Sequence, residues 1–197
     1  MSGKRKANQK RRFDKCQNSR VTDKNTKPKR TLTKANIQFC VTFSHPENVV
    51  GNVMAIIRQQ TDLARAVVKI GKRAEMYPLQ IMIVYHAPFE MIREVHMLYE
   101  PPLSKVFFYN GHEYTVLEYI WQNYGNRSLN LLEYVCESLQ NSTYHLERKT
   151  CIYTLLESKR NLVEEFWPTL EMFKILLKYD TVVNFTGRNC NPNGLLR

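Results

Sequence analysis

The sequence has few glycines and lacks the segments that mark several large classes of protein. Only seven of its 197 residues are glycine, and they form no phosphate-binding pattern such as GxGxxG or GxxxxGK[ST]. No apolar run approaches the roughly 20 residues that a membrane-spanning helix needs. We therefore expect neither a nucleotide-binding enzyme of these types nor a protein that crosses a membrane.

Patterns typical of metal sites and disulfide frameworks are also missing. The five cysteines are odd in number and widely spaced, with no CxxC pair, and no HExxH pattern occurs. Reduced, mostly buried thiols are the expectation. Cys136 lies in a helical pattern on an apolar face with no base near it in sequence, which disfavours a role as a nucleophile. We predict a non-enzymatic protein with no catalytic residues, no metal and no cofactor.

Positive charge is confined to one end of the chain. Residues 1–34 contain 13 Lys and Arg and only two acidic residues, Asp14 and Asp23. The whole chain contains 29 basic and 18 acidic residues, which leaves 16 of each for residues 35–197. Residues 1–34 also lack apolar periodicity and cannot bury enough surface to offset their ordering entropy. We predict a disordered basic arm over 1–34 and a folded, electrically neutral domain over 35–197.

Two groups of cations in this arm are candidate contact sites. They are Lys4, Arg5 and Lys6 with Lys10, Arg11 and Arg12, and Lys27, Lys29 and Arg30. Cations on an accessible chain suit the acidic groove of a nuclear import receptor, and they equally suit the phosphates of a nucleic acid. A third interpretation is that the arm only aids solubility. With no apolar segment that resembles a secretory signal, we expect an intracellular protein, nuclear rather than cytoplasmic.

From residue 46 onward the apolar residues follow a helical period, and the pattern repeats. Three segments align at offsets of 38 and 35 residues, and each is followed by a second amphipathic helix. The segments open at Tyr77, Thr115 and Thr150, and the second helices begin at Phe89, Leu129 and Leu170. Because a single helix pair exposes an apolar face that it cannot cover, we expect neighbouring pairs to stack.

Residues at the start of each unit carry a family resemblance. Ankyrin repeats place a proline in the first helical turn, as at Pro78, or an N-capping threonine, as at Thr115 and Thr150. Asn110-Gly111 matches their hairpin tip. Over about residues 46–197 the chain resembles the ankyrin repeat family. The resemblance implies an all-α, ankyrin-like stack of helix-turn-helix repeats that binds another protein, and an unrelated helical array or bundle is the alternative fold.

The resemblance also implies where a partner binds, at the exposed hairpin tips. The positions concerned are Lys72, Arg73, His112, Glu113, Arg188 and Asn189. The chain lacks the histidine that ankyrin repeats carry at the start of their first helix, after Thr-Pro-Leu. Its position is occupied here by Gln80, Glu118 and Tyr153. We therefore expect the side-chain to backbone bonding that this histidine makes between repeats to be missing.

Three further groups of apolar residues have predicted places. Seven residues of the second helices are expected to form the inner layer of the stack: Val95, Leu98, Leu132, Val135, Phe173, Leu176 and Leu177. Residues 39–43 alternate in polarity, which indicates either a strand or an irregular lead-in. A dense aromatic block is formed by Tyr109, Tyr114, Tyr119, Trp121, Tyr124 and Tyr134. Tyrosine and tryptophan serve both in cores and in protein interfaces, so the block has two possible roles.

Overall fold

The computed structural model describes residues 32–70, 74–124, 128–143, 150–151, 169–179 and 183–184. Within this part the chain is mostly helical, as predicted, with a few short strands. None of the helices described there is long and apolar enough to cross a membrane.

Seven α-helices and six strands are present in the described residues. The α-helices are α1 (Lys34–Phe43), α2 (Pro46–Gln59), α3 (Pro78–Val84), α4 (Phe89–Leu98), α5 (Val116–Asn123), α6 (Leu129–Asn141) and α7 (Leu170–Lys178). Single 3₁₀ turns occupy Thr61–Arg65 and Pro101–Leu103. The strands are β1 (Val68–Ile70), β2 (Ala74–Met76), β3 (Phe107–Tyr109), β4 (His112–Tyr114), β5 (Thr150–Cys151) and β6 (Val183–Asn184).

Two successive segments share one order of elements, an antiparallel hairpin followed by two helices. In the first, β1 and β2 precede α3 and α4; in the second, β3 and β4 precede α5 and α6. The helices pack in pairs, α3 also contacts α5, and β2 contacts β3. Beyond them, β5 pairs with β6 in parallel, and α7 packs against α6. These contacts bury apolar residues of both helix pairs in one core.

The second hairpin turns at the dipeptide that predicted it. Asn110 and Gly111 have φ values of 48° and 86°, and the flanking residues Tyr109 and His112 are paired. Two successive positive φ angles give the tight turn whose twist matches that of the strands, and Asn-Gly adopts them readily. The expected hairpin at this site is confirmed.

The start of α5 is held by reciprocal hydrogen bonds. Thr115 Oγ1 accepts from the Glu118 backbone N–H at 3.1 Å, and Glu118 Oε2 accepts from the Thr115 N–H at 2.8 Å. This pair satisfies two of the four amides that a helix N-terminus leaves open. Thr115 Oγ1 also lies 2.8 Å from Oγ1 of Thr150, the first residue of β5. Thr150, which the resemblance placed at a helix N-cap, is thus a strand residue in the structure. The predicted cap at Thr115 is confirmed, and Pro78 is the first residue of α3, as expected.

The longest uninterrupted runs of buried residues lie in the two short helices α3 and α5. Residues 78–84 of α3 and 116–121 of α5 are buried without interruption. Trp121 is fully buried and meets the Phe173 ring edge-on, with centroids 5.4 Å apart. Because Phe173 belongs to α7, this contact couples α5 to the next layer. At the N-terminal end of the described residues, α1 buries Ile37 and Val41.

Because α1 extends to Phe43, residues 39–43 are helical, and the expectation of a strand there is wrong.

Two of the seven residues expected in the inner layer face solvent instead. Leu177 is 63% exposed and Leu98 is 37% exposed. Leu177 directly follows the buried Leu176, and its side chain, turned about 100° around the helix axis, lies outside the contact that α7 makes with α6. Leu98 is the last residue of α4, a ten-residue helix packed on the seven-residue α3. The remaining five are confirmed as buried or half-buried: Val95, Leu132, Val135, Phe173 and Leu176.

Candidate functional site

Two of the six predicted partner-binding positions lie in the described residues. His112 and Glu113 are the first two residues of β4, directly after the turn, and both are exposed. The other four lie outside the described residues: Lys72, Arg73, Arg188 and Asn189. So do the nine cations of the arm: Lys4, Arg5, Lys6, Lys10, Arg11, Arg12, Lys27, Lys29 and Arg30. The hairpin tip around His112 is accordingly the starting point for a site.

Tyrosine side chains gather beside this tip. The Tyr119 ring is met edge-on by Tyr109 and by Tyr114, with centroids 5.9 and 5.4 Å apart. His112 joins them, its ring centroid lying 6.2 Å from that of Tyr114. Edge-on contacts between aromatic rings are favourable and hold the rings in fixed orientations. We call Tyr85, Tyr109, Tyr114, Tyr119 and Tyr124 together the tyrosine cluster.

Two members of the tyrosine cluster tie the second unit to the first. The Tyr119 hydroxyl donates to the Val84 carbonyl at 3.3 Å, and the Tyr124 hydroxyl donates to the Ile83 carbonyl. Ile83 and Val84 are the last residues of α3, and the Ile83 carbonyl also accepts from the His86 N–H at 3.1 Å. The two tyrosines therefore bind the end of one helix from the next unit, which fixes the position of their rings.

The other three members are half-buried and present hydroxyl groups to their surroundings. The hydroxyls of Tyr85, Tyr109 and Tyr114 make no hydrogen bond to another described residue. Burial raises the pKa of Tyr85 and of Tyr114; the Glu118 carboxylate raises that of Tyr114 further, and Tyr109 raises both. These two side chains are therefore uncharged at neutral pH and offer hydroxyl donors next to apolar ring surface.

Sequence comparison of the units could have found the one member of the tyrosine cluster that was missed. Tyr85 is the first residue after α3, and Tyr124 is the first residue after α5. Tyrosine thus recurs at the same place in both units, directly after the first helix. The predicted aromatic block contains Tyr124 but not its counterpart Tyr85, because Tyr85 lies outside the stretch in which aromatic residues are dense.

Gln80 overturns one expectation about bonding between the units. Its side chain is buried; Nε2 donates to the carbonyls of Pro102 and Lys105 at 3.1 and 3.3 Å, and Oε1 accepts from the Tyr77 N–H at 3.0 Å. Pro102 and Lys105 belong to the connection that leads to the next hairpin. The prediction that side-chain to backbone bonding is lost with the histidine is therefore wrong here. A primary amide, like an imidazole, supplies a donor and an acceptor at once.

Some of the groups that could perform chemistry are buried or paired in the described part of the chain. Cys136 is fully buried, and burial raises the pKa of its thiol to about 12, which keeps it protonated. Cys40 is a free, half-buried thiol. Glu94, four residues after Glu90 on one helix face, pairs with Arg58 at 2.7 Å. Across residues that the structure describes, no group of His, Cys, Asp and Glu is arranged to hold a metal ion.

Comparison of the chain with protein families, with curated proteins and with solved structures finds no match. A function must therefore be argued from the residues and surfaces of this chain.

Proposed function

We propose that this chain is a non-enzymatic protein-interaction module, an ankyrin-like stack whose tyrosine cluster and adjacent hairpin tip bind a partner protein. One observation carries the proposal. Tyr109 and Tyr114 both pack edge-on against Tyr119, beside the exposed His112 and Glu113. Tyr85 lies close enough to Tyr109 to interact with it electrostatically. The hydroxyls of these three half-buried tyrosines make no hydrogen bond to another described residue. The recurring order of hairpin and two helices supports the ankyrin-like part of the proposal.

Tyrosine suits this task for physical reasons. It offers a large amphipathic contact area while only two side-chain torsions must be ordered on binding. In this chain much of that ordering precedes binding, because Tyr119 and Tyr124 are anchored to α3 and Tyr119 packs edge-on against Tyr109 and Tyr114. Preorganised contacts bind more tightly because less entropy is lost when the complex forms. The tip residues His112 and Glu113 would add polar contacts that select the partner.

Simultaneous replacement of Tyr109 and Tyr114 by alanine tests this proposal. A partner recovered with the full chain should bind the double variant at least about tenfold more weakly, since tyrosines at interface centres contribute more than about 1 kcal/mol each. Affinity is measured by titration calorimetry, and circular dichroism checks that the helices remain. The matched control is Phe39→Ala with Phe43→Ala, which removes two aromatic rings that are 63% and 72% exposed on α1. Equal affinity of the tyrosine variant and the wild type would overturn the proposal.

The concentration of positive charge in residues 1–34 supports a second candidate function, binding of nucleic acid through this arm. The alternative role of the same cations is recognition by a nuclear import receptor. Neutralising Lys10, Arg11 and Arg12 to Gln in the full chain should lower the salt dependence of binding to a single-stranded RNA oligonucleotide. The slope of log K against log salt should fall by about 2, since each phosphate contact contributes about 0.7. Lys69→Gln, an exposed lysine of β1, is the control. An unchanged slope contradicts this candidate.

A further inference from the structure

A groove on the second helices shares no residue with the tyrosine cluster. It lies between the end of α4, with the 3₁₀ turn that follows, and the second half of α6. The cavity has a volume of about 280 Å³, and its lining includes His96, Met97, Glu100, Leu103, Tyr134 and Glu137. We call it the outer groove.

The floor of the outer groove is held by a polar contact between the two helices. His96 Nδ1 lies 2.7 Å from the Tyr134 hydroxyl, and the two rings meet edge-on at 89°. His96 is almost fully buried, and burial lowers its pKa, so the imidazole is neutral at neutral pH. The floor therefore has a fixed shape and places no positive charge beneath the carboxylates of the rim.

Met97 lines the outer groove, and the next residue, Leu98, lines a neighbouring cavity. Met97 is 71% exposed and Leu98 is 37% exposed. Met97 and Glu100 also line a second cavity of about 430 Å³, together with Arg65 and Tyr99. The Arg65 guanidinium lies over the Tyr99 ring, 5.8 Å from its centroid, and makes no ion pair with Glu100. Exposed methionine is a flexible apolar surface that adapts to different side chains.

The two carboxylates at the outer groove differ in their ion pairing from two other carboxylates of α4 and α6. Glu94 pairs with Arg58 at 2.7 Å, and Glu133 pairs with Lys178 at 2.9 Å. Glu100 and Glu137 line the groove, and neither forms an ion pair with a residue in the described ranges. Two carboxylates are thus open to an incoming cation beside an aliphatic surface.

We propose that the outer groove binds a segment of a partner protein that carries an aliphatic side chain next to Lys or Arg. The aliphatic side chain enters the cavity against Met97, Leu103 and Leu139, and the cation pairs with Glu100 or Glu137. The cavity is smaller than the roughly 300–1,000 Å³ typical of small-molecule sites, which suits one or two side chains of a peptide. The inference does not depend on the tyrosine cluster.

Methyl NMR of the full chain with ¹³C-labelled methionine tests the proposal. The probes are acetyl-Leu-Arg-Leu-Arg-amide and its acidic counterpart acetyl-Leu-Glu-Leu-Glu-amide. The Met97 resonance should move saturably with the basic peptide, with a Kd on the order of 1 mM, and binding should weaken as salt is added because the rim charges are exposed. The buried Met54 and Met82 serve as internal references.

Charge-removing variants identify the carboxylates responsible. Glu100→Gln combined with Glu137→Gln should weaken binding of the basic peptide about fivefold, as expected for two solvent-exposed ion pairs. Glu90→Gln, which alters an exposed carboxylate of α4 outside the groove, should leave binding unchanged.

Three results would overturn the proposal. One is an equal response of Met97 to the acidic peptide, and another is no response at about 10 mM of the basic peptide. The third is a Met97 shift that follows protein concentration without peptide, which would identify the groove as a contact between copies of this chain. None of these results bears on the tyrosine cluster, because its residues lie outside the groove.

Discussion

Replacement of Trp121 by alanine is expected to lower the free energy of unfolding of the full chain by about 3–5 kcal/mol. Trp121 is fully buried in α5 and packs edge-on against Phe173 of α7. Its removal therefore leaves a cavity at the place where two layers meet. Since domains are stable by only about 5–15 kcal/mol, this loss takes a large share of the total. Urea denaturation followed by far-ultraviolet circular dichroism measures it.

Leu177→Ala is the matched control for this experiment. Leu177 also lies on α7 but is 63% exposed, so its replacement should change the free energy of unfolding by less than about 0.5 kcal/mol. Equal effects of the two substitutions would show that α7 is not packed on α5 through Trp121. A loss confined to Trp121→Ala supports the contact between the layers.

Gln80→Leu should lower the free energy of unfolding by about 3 kcal/mol, although leucine has nearly the size of glutamine. The substitution removes the hydrogen bonds of the Gln80 amide to the carbonyls of Pro102 and Lys105 and to the Tyr77 N–H, while the Pro102 carbonyl keeps the Lys105 N–H as a donor at 3.4 Å. Each buried polar group left unsatisfied costs about 1–3 kcal/mol. Thermal and urea unfolding of the full chain provide the measurement, and Gln140→Leu, at an exposed position of α6, is the control with little expected effect.

Gln80→Glu tests separately the hydrogen bond that the Gln80 side chain accepts and the two that it donates. The carboxylate still accepts from Tyr77, but it faces two carbonyl oxygens to which only a protonated carboxyl group can donate. The carboxyl pKa should thus be higher in the folded than in the unfolded variant, whose value is about 4.3. Relative to wild type, the variant should then lose stability as pH rises from about 4 to 7. A constant difference across that range would contradict the assigned roles of Pro102 and Lys105.

Local rules account for the features that were predicted correctly. The turn at Asn110-Gly111 depends on backbone angles that few other residue pairs adopt, and the cap at Thr115 depends on a hydroxyl beside open amides. Both are settled within four residues of sequence. Burial at Val95 and Leu132 follows from apolar spacing along one helix, which also needs no knowledge of the neighbours.

Features that involve two elements were predicted less well. Leu98 and Leu177 were expected in the buried layer, yet both are exposed. Leu98 lies at the end of α4, which is longer than its partner α3, and Leu177 lies on a side of α7 that the described partners do not cover. The hydrogen bonds of Gln80 reach carbonyls 22 and 25 residues away, which no local pattern reports. On the proposed binding surface, the position of the hairpin tip predicted His112 and Glu113, whereas Tyr85 was not predicted.

The division between sequence and structure follows the range of the interactions. Helical period, turn chemistry and the separation of a basic arm from a neutral domain can be read along the chain, because each depends on neighbouring residues. The approach of Tyr85 to Tyr109, and the placement of Glu100 and Glu137 along one groove, depend on how α3 to α6 pack. Packing brings together residues tens of positions apart, so the two candidate binding surfaces emerged with the folded arrangement of the units.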